Sequence, residues 1–220
     1  MSLTICEEVQ RDFPDLHVLT SYIENVAVKG SDFELEAFKE DLIREIRSAY
    51  DIQTLKDRPI LRAYRDFFWS LRVDPTKTRP AAEALIRRLL HGKPLPKINT
   101  LVDAYNLASI KTEIAIAAFD FDKIRGELMM RYAERGEEFL GIGMKTPMRL
   151  EGKEIVISDG EKLLAVYPYR DAEDTKVTEA TRNVLLLFCG VPGISMQNLL
   201  EAKNLTLDFV TKFCGGRIKS

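Results

Sequence analysis

The densest group of polar side chains in the chain lies between residues 167 and 181, after one predicted strand and before another. Arg170 could hold a carboxylate or phosphate through paired hydrogen bonds, and Asp171 could hold an ammonium group or orient a water molecule. Binding groups concentrate on loops of this kind. The same connection carries further candidate ligand contacts: Tyr167, Tyr169, Asp174 and Thr178. The alternative is that Arg170 and Asp171 pair with each other and that the threonines cap turns.

Familiar catalytic and metal-binding motifs are absent from the sequence. The chain contains no GxSxG elbow, P-loop, HExxH or Rossmann glycine pattern. Its two histidines, His17 and His91, have no cysteine or second histidine at ligand spacing, so we expect no metal and no other cofactor. His91 precedes Gly92 at a predicted helix end, and a cation there complements the helix dipole. This position favours a capping role for His91 over a catalytic one.

The near-neutral net charge of −2 hides a strong asymmetry along the chain. Residues 1–55 contain 5 Lys/Arg and 12 Asp/Glu, whereas residues 56–97 contain 11 Lys/Arg and 4 Asp/Glu. A local basic cluster can contact the phosphates of a polyanion. The alternative is a solvated helical face. The basic side chains selected as candidate phosphate contacts are Arg72, Lys77, Arg79, Arg87, Arg88 and Lys93.

The elements that position these residues change type along the chain. Apolar spacing predicts helices over residues 31–51, 60–71, 81–90, 99–107, 195–203 and 206–214. Short alternating or continuous apolar runs predict strands over 127–132, 139–142, 154–158, 163–169 and 184–188. Helices therefore come first and a sheet follows. This order predicts an α+β fold, in which an N-terminal helical part packs on a mixed or antiparallel β-sheet.

The N-terminus and the cysteines predict a cytosolic protein. Charged residues occupy positions 7, 8, 11 and 12, where a signal peptide needs an apolar run. No apolar stretch approaches the roughly 20 residues of a membrane helix, so no membrane partner is expected. The three cysteines form no CxxC pair and are typical of reduced thiols.

Several segments resemble the B3/B4 module of the phenylalanyl-tRNA synthetase beta subunit, and the chain is most similar to free-standing proteins made of that module. The resemblance begins near Pro75 and covers about half the chain in the family's order. It predicts an N-terminal extension, residues 1–55, that is integrated into a B3/B4-like domain, residues 56–220. The segments that carry it are 79–88, 95–106, 117–126, 131–137, 157–160 and 181–186.

The resemblance implies an α+β fold whose helical part and sheet part enclose a cleft. In the synthetases this module hydrolyses tyrosine that has been attached wrongly to the phenylalanine tRNA. Such editing is needed where two amino acids differ by one hydroxyl, because a first binding site then discriminates between them only to a limited extent. The implied partner is tRNA or aminoacyl-tRNA, or a free amino acid, and the basic cluster then supplies the tRNA contacts.

The family's pocket residues transfer only in part. Asn106 matches a residue of the bacterial editing pocket, Asp103 lies beside it, and Tyr105 replaces a threonine. Ala117 and Leu187 stand where the bacterial pocket has a histidine and a glutamate, and residues 167–171 replace a glycine-rich loop. The first hypothesis is an aminoacyl-tRNA deacylase acting in trans. Its catalytic residues are Asp171 and Arg170, and its substrate-binding residues are Asn106, Asp103, Tyr105, Tyr167, Tyr169, Asp174 and Thr178.

Two alternatives remain open at this point. The second hypothesis is a tRNA-binding or amino-acid-binding module that has kept the shape and lost the reaction. The third is an interaction protein that uses an exposed aromatic face formed by Tyr64, Phe67, Phe68 and Trp69. Those four aromatics also lie at helical spacing, which favours a place in the core.

Overall fold

Six α-helices occur in the computed structural model, which describes residues 3–219, and all but the first lie where the apolar spacing predicts a helix. The bounds of α1 to α6 are Glu7–Asp12, Phe33–Ala49, Pro59–Ser70, Ala81–Leu90, Thr100–Thr112 and Met196–Cys214. None of the described helices has the length and apolarity to cross a lipid bilayer. Side-chain oxygens of Asp32 and Asn99 accept backbone N–H groups at the starts of α2 and α5.

The two helices predicted between residues 195 and 214 are a single helix, α6, so that prediction is wrong. No glycine or proline interrupts this segment. The Thr206 hydroxyl, which would cap a new helix, donates instead to the Ala202 carbonyl oxygen at 2.6 Å. A threonine that bonds back to the preceding turn leaves the helix continuous.

Eleven strands are described, and most of them join two sheets. The bounds of β1 to β11 are Leu3–Ile5, Val18–Glu24, Ala115–Asp120, Leu128–Tyr132, Glu138–Phe139, Met148–Arg149, Ile155–Ser158, Leu163–Val166, Arg170–Asp171, Val184–Cys189 and Arg217–Lys219. One sheet has the order β1-β4-β7-β8-β9 and the other has the order β11-β2-β10-β3, while β5 and β6 form a separate pair. Only the pairing of β1 with β4 is parallel among these described strands. The α+β fold class with mixed and antiparallel sheets is confirmed.

The N-terminal 55 residues contribute strands to both large sheets. Strand β2 pairs antiparallel with β10 along its length, from Val184 opposite Ile23 to Cys189 opposite Val18. Strand β1 forms the edge of the other sheet beside β4. Helix α2 contacts α5 through a buried ion pair in which Lys39 Nζ lies 2.8 Å from Asp103 Oδ2. The acidic N-terminal segment is therefore structurally continuous with the rest of the fold.

The aromatic residues of α3 lie in the core, with one exception. Tyr64, Phe67 and Phe68 are buried, whereas Trp69 is 54% exposed. The Tyr64 hydroxyl accepts the Ala115 N–H at 2.9 Å and donates to the Cys189 carbonyl oxygen. These contacts tie the start of β3 to the end of β10. The four-residue exposed aromatic face proposed by the third hypothesis does not exist.

Candidate functional site

A cavity of about 150 Å³ lies where the two large sheets approach each other. Strands β3 and β10 form one wall, β8 and β9 form a second, and α5 and the start of α4 complete the enclosure. The cavity is lined by three predicted site residues, Asn106 from α5 and the adjacent pair Arg170 and Asp171 from β9. Tyr105, Tyr167 and Tyr169 from the predicted set line it as well.

A short hairpin brings Asp171 to the cavity. Strands β8 and β9 pair antiparallel, and Asp171 lies directly opposite Ala165, whose small side chain leaves room on the same face. The Asp171 carbonyl oxygen accepts the Ile142 N–H at 2.9 Å. The buried Tyr167 hydroxyl donates to the Gly190 carbonyl oxygen just after β10. The hairpin is thus held on both sides, and Asp171 has a fixed position.

The Asp171 carboxylate has no partner in the described part of the chain. Among residues 3–219 no side chain or backbone N–H forms a hydrogen bond or ion pair with it. Burial raises the pKa of Asp171 to about 7. The negative charge of Asp171 in turn adds to the burial that raises the pKa values of Tyr105 and Cys189. A carboxyl group with a pKa near neutrality in a cavity can act as a general base.

Helix α5 presents Tyr105 and Asn106 to the cavity without giving their side chains a partner. No hydrogen bond from either side-chain polar group reaches another residue within 3–219. Burial is the main cause of the raised pKa of Tyr105, so its hydroxyl keeps its proton at neutral pH. Tyr105, Asn106 and Asp171 are half-buried, and all three line the cavity with unused hydrogen-bonding capacity. Three polar side chains that meet in this way indicate a place for a polar ligand.

Asp103 lies outside the cavity, in contrast to its predicted contact with substrate. Its buried carboxylate accepts Lys39 Nζ at 2.8 Å and the Ile98 N–H at 3.1 Å. Asp103 lies within one helical turn of Tyr105 and Asn106, so this contact fixes the part of the helix that carries them. Asp103 therefore positions the site and has no free group for a ligand.

Two other predicted ligand contacts also lie outside the cavity. The Asp174 carboxylate pairs with Lys162 Nζ at 2.8 Å. The Thr178 hydroxyl accepts the Ala180 N–H at 3.3 Å, and the Thr178 N–H donates to Thr181 Oγ1 at 3.0 Å. Their side chains tie the connection down, as the alternative interpretation of this segment states.

Arg170 lies at the rim of the cavity and does not pair with Asp171. Its side chain is exposed, and Nη1 lies 3.4 Å from the Ile142 carbonyl oxygen. Adjacent strand residues point to opposite faces, which separates the two charged groups. The Arg170 stem crosses Gly141, where an added Cβ would lie 2.4 Å from Arg170 Cδ. The guanidinium is therefore free to meet an anion that approaches from solvent.

The wall opposite the polar groups is apolar. Ala117 on β3 lies opposite Leu187 on β10 in the pairing register, and both line the cavity. No histidine lines it, and within residues 3–219 no group of three His, Cys, Asp or Glu side chains is placed to hold a metal ion. The sequence did not select several wall residues, namely Ala81, Ala115, Ile116, Ala165, Val166 and Cys189. The apolar run 114–119 was an available signal for the missed strand β3.

A separate basic groove of about 610 Å³ lies along α4. Five of the six predicted phosphate contacts line it together with His91: Lys77, Arg79, Arg87, Arg88 and Lys93. Arg72 lies outside this groove, in a separate depression beside Phe13 and Lys153. His91 Nδ1 lies 2.7 Å from the Arg87 carbonyl oxygen at the end of α4, which confirms its capping position.

Buried Glu83 pairs with two arginine side chains beside the groove. Its carboxylate accepts Arg87 Nε at 2.7 Å and Arg65 Nη1 at 3.1 Å. This pairing fixes the Arg87 guanidinium at the edge of the groove. Ala81 lines the cavity and Ala84 lines the groove, so the two sites are separated by one turn of α4, about 5 Å along its axis.

Comparison with known proteins gives one family and one fold. The sequence model of the B3/4 domain matches residues 63–213. Over 97 residues, 44% of this chain, the sequence is 33% identical to the phenylalanine–tRNA ligase beta subunit of Francisella tularensis. Over 132 residues, 50% of this chain, it is 33% identical to the same subunit of Thermococcus gammatolerans. The matches cover 12% and 22% of those two relatives.

A solved structure has a similar fold over nearly the whole chain. It is an N-terminal fragment of the phenylalanyl-tRNA synthetase beta subunit from Pyrococcus horikoshii, with a TM-score of 0.54 and 16% sequence identity. The match covers 99% of this chain and 50% of that fragment, so it includes the N-terminal segment. At this identity the likeness concerns the fold alone.

Proposed function

The chain belongs to the B3/4 domain family, and from that premise we propose that it hydrolyses the ester bond of mischarged aminoacyl-tRNA in trans. Its relatives are beta subunits of a ligase that joins an amino acid to tRNA. The observation that carries the proposal is the meeting of three unpartnered polar side chains, Tyr105, Asn106 and Asp171, in one cavity.

The reaction needs a positioned water molecule and a group that takes its proton. Water attacks the ester carbonyl carbon while the Asp171 carboxylate accepts a proton from it. The carbon–oxygen bond to the ribose then breaks, and the proton passes to the leaving ribose oxygen. A base with a pKa of about 7 is well matched to this exchange at neutral pH. The carboxylic acid that forms releases its remaining proton to solvent, so the amino acid leaves as a carboxylate.

Tyr105 and Asn106 supply hydrogen-bond donors for the carbonyl oxygen. The Tyr105 hydroxyl stays protonated because burial and the charge of Asp171 raise its pKa. Donors aimed at an oxygen that gains negative charge are worth roughly 100- to 1,000-fold each in rate. Arg170, exposed at the rim, is placed to hold the phosphate or ribose of the terminal nucleotide.

The basic groove suits the tRNA backbone. Its five lysine and arginine side chains present positive charge along α4, and the turn of helix between groove and cavity keeps both in reach of one ligand. In this proposal the tRNA phosphates bind in the groove while the aminoacyl end enters the cavity. We place this activity in the cytosol, which suits the unpaired thiols of Cys6, Cys189 and Cys214.

A second candidate function is binding of tRNA or of an amino acid without hydrolysis. The apolar pair Ala117 and Leu187 favours it, because these side chains cannot transfer a proton or orient water. This function uses the same groove and cavity. It differs from the first only in the fate of the ester bond.

The deciding experiment incubates the purified protein with a panel of mischarged tRNAs and scores release of labelled amino acid. We expect release above the uncatalysed rate, a loss of about 100- to 10,000-fold in Asp171→Asn, and smaller losses in Arg170→Ala and Asn106→Ala. The matched control is Asp208→Asn, an exposed carboxylate on α6. Equal release by the wild type and Asp171→Asn refutes the reaction. Saturable tRNA binding without release supports the second candidate.

A further inference from the structure

We infer that the cavity selects aminoacyl groups with uncharged, apolar side chains of no more than about seven heavy atoms. This inference rests on the proposed function, since it names the amino-acid class that the same cavity accepts. The observation behind it is the division of the cavity into a polar side and an apolar side. Tyr105, Asn106 and Asp171 form the polar side, whereas β3 and β10 form the apolar side.

Small side chains create the space on the apolar side. Ala117 faces Leu187 and Ala115 faces Cys189 across the β3–β10 pair, and all four line the cavity. These residues are nearly fully buried. The thiol of Cys189 stays protonated because burial and the nearby Asp171 raise its pKa, so it adds no charge. The wall is therefore neutral and weakly polar throughout.

An aminoacyl ester has the same two-sided character. Its carbonyl must meet the donors and the water held by Asp171, which places the side chain against β3 and β10. Among the described residues, Asp171 is the one acidic side chain that lines the cavity, and the proposed reaction uses it to hold the water. A lysine or arginine side chain would therefore lose its own water without gaining an acidic partner. A glutamate or aspartate side chain would add a second negative charge to a cavity that already holds Asp171. Charged side chains are thus excluded.

The volume sets the upper size. The cavity measures about 150 Å³, and an apolar protein cavity of roughly that volume takes up benzene. Valine, leucine, isoleucine, methionine and phenylalanine side chains fit this limit, and tryptophan exceeds it. Tyrosine adds a hydroxyl that would face the apolar wall. A pocket of this kind rejects an added hydroxyl by at most roughly 100-fold. Binding of a tyrosyl group is therefore weakened but not abolished.

The test measures binding separately from hydrolysis. The probes are adenosines that carry the amino acid through a stable 3′-amide bond, titrated into the wild-type protein and Asp171→Asn by calorimetry. We expect leucyl and phenylalanyl probes to bind roughly 10- to 100-fold more tightly than the tyrosyl probe, and no saturation with lysyl or glutamyl probes. Equal affinities for all probes, or tightest binding of a charged or tyrosyl probe, overturn the inference.

A variant that fills the cavity assigns the preference to the wall. Ala117→Leu should lower the affinity for the leucyl probe by at least about tenfold and leave the alanyl probe unchanged. The matched control is Ala180→Leu, which adds the same side chain at an exposed position outside the cavity. If Ala117→Leu does not fold, Ala165→Val makes the smaller change on the opposite wall, with the same expected order. Unchanged leucyl binding in a folded cavity variant overturns the inference.

The failure of the proposed reaction and the failure of this inference give different results. Selective binding of apolar probes with no hydrolysis of any aminoacylated tRNA supports the inferred amino-acid selection and refutes the proposed reaction. Hydrolysis of charged tRNAs at equal rates, whatever their amino acid, supports the reaction and overturns the selection.

Discussion

Replacing Asp171 by asparagine should stabilise the protein at alkaline pH, although it removes the proposed catalytic base. Burial raises the pKa of Asp171 from its ordinary 3.8 to about 7 in the folded chain. Above pH 7 the carboxylate is charged in both the folded and the unfolded chain. Water surrounds the charge in the unfolded chain, whereas the folded chain buries it without a partner. Asparagine has nearly the same shape and carries no charge.

The size of the effect follows from the difference in proton affinity. Each tenfold change is worth ~1.4 kcal/mol, so a difference of about three powers of ten corresponds to about 4 kcal/mol of lost stability above pH 7. Water that enters the cavity reduces the penalty, which gives an expected gain of about 2–4 kcal/mol for Asp171→Asn at pH 8. The folded chain retains the proton longer than the unfolded chain between about pH 4 and pH 7. Wild-type stability therefore falls as the pH rises through that range, and at pH 5 the gain is about 1.5 kcal/mol.

The assay is urea unfolding of the wild type and Asp171→Asn at pH 5 and pH 8, followed by circular dichroism. The control Asp208→Asn removes an exposed carboxylate and should change the free energy of unfolding by less than about 0.5 kcal/mol at both values. Equal stability of the wild type and Asp171→Asn at pH 8 would contradict the conclusion that the Asp171 carboxylate has no partner in the folded chain. A gain that does not grow between pH 5 and pH 8 would contradict its raised pKa.

Three further measurements test the rest of the site. The hydrolysis rate of the wild type should rise about tenfold per pH unit below pH 7 and level off above it, since the deprotonated Asp171 acts as base; a flat profile excludes this role. Combined Arg87→Ala and Arg88→Ala should lower the slope of log affinity for tRNA against log salt by about 2, whereas Arg72→Ala, outside the groove, should leave it unchanged. Lys39→Met should lower the free energy of unfolding in urea by about 3–5 kcal/mol, because Asp103 is left buried without its counter-charge. The double variant with Asp103→Asn should recover part of that loss. Additive losses of the two single variants would show that the ion pair does not position α5.

Local patterns in the sequence were sufficient for most of the helices and for the fold class. The spacing of apolar residues predicted α2, α3 and α4 to within two residues at each end, because each helix buries one stripe against the core. The same reasoning missed β2 and β3. Alternation is weak in β2, and every residue of β3 is buried, so its run has no period-2 signal. The split of α6 failed because a threonine can cap a helix or continue one, and local sequence does not distinguish these outcomes.

Chemical type and chain order were enough to select Arg170 and Asp171 and to place most of the basic groove on one helix, whereas Asn106 was selected through the family resemblance. Only the tertiary structure decided which polar groups are free. Asp103, Asp174 and Thr178 have the same chemical capacity as the cavity residues, but Lys39, Lys162 and the Ala180 N–H already engage them. The alanine wall likewise depends on the register of β3 against β10. Partner choice and register are long-range contacts between residues up to 74 positions apart, and neither residue type nor spacing encodes them.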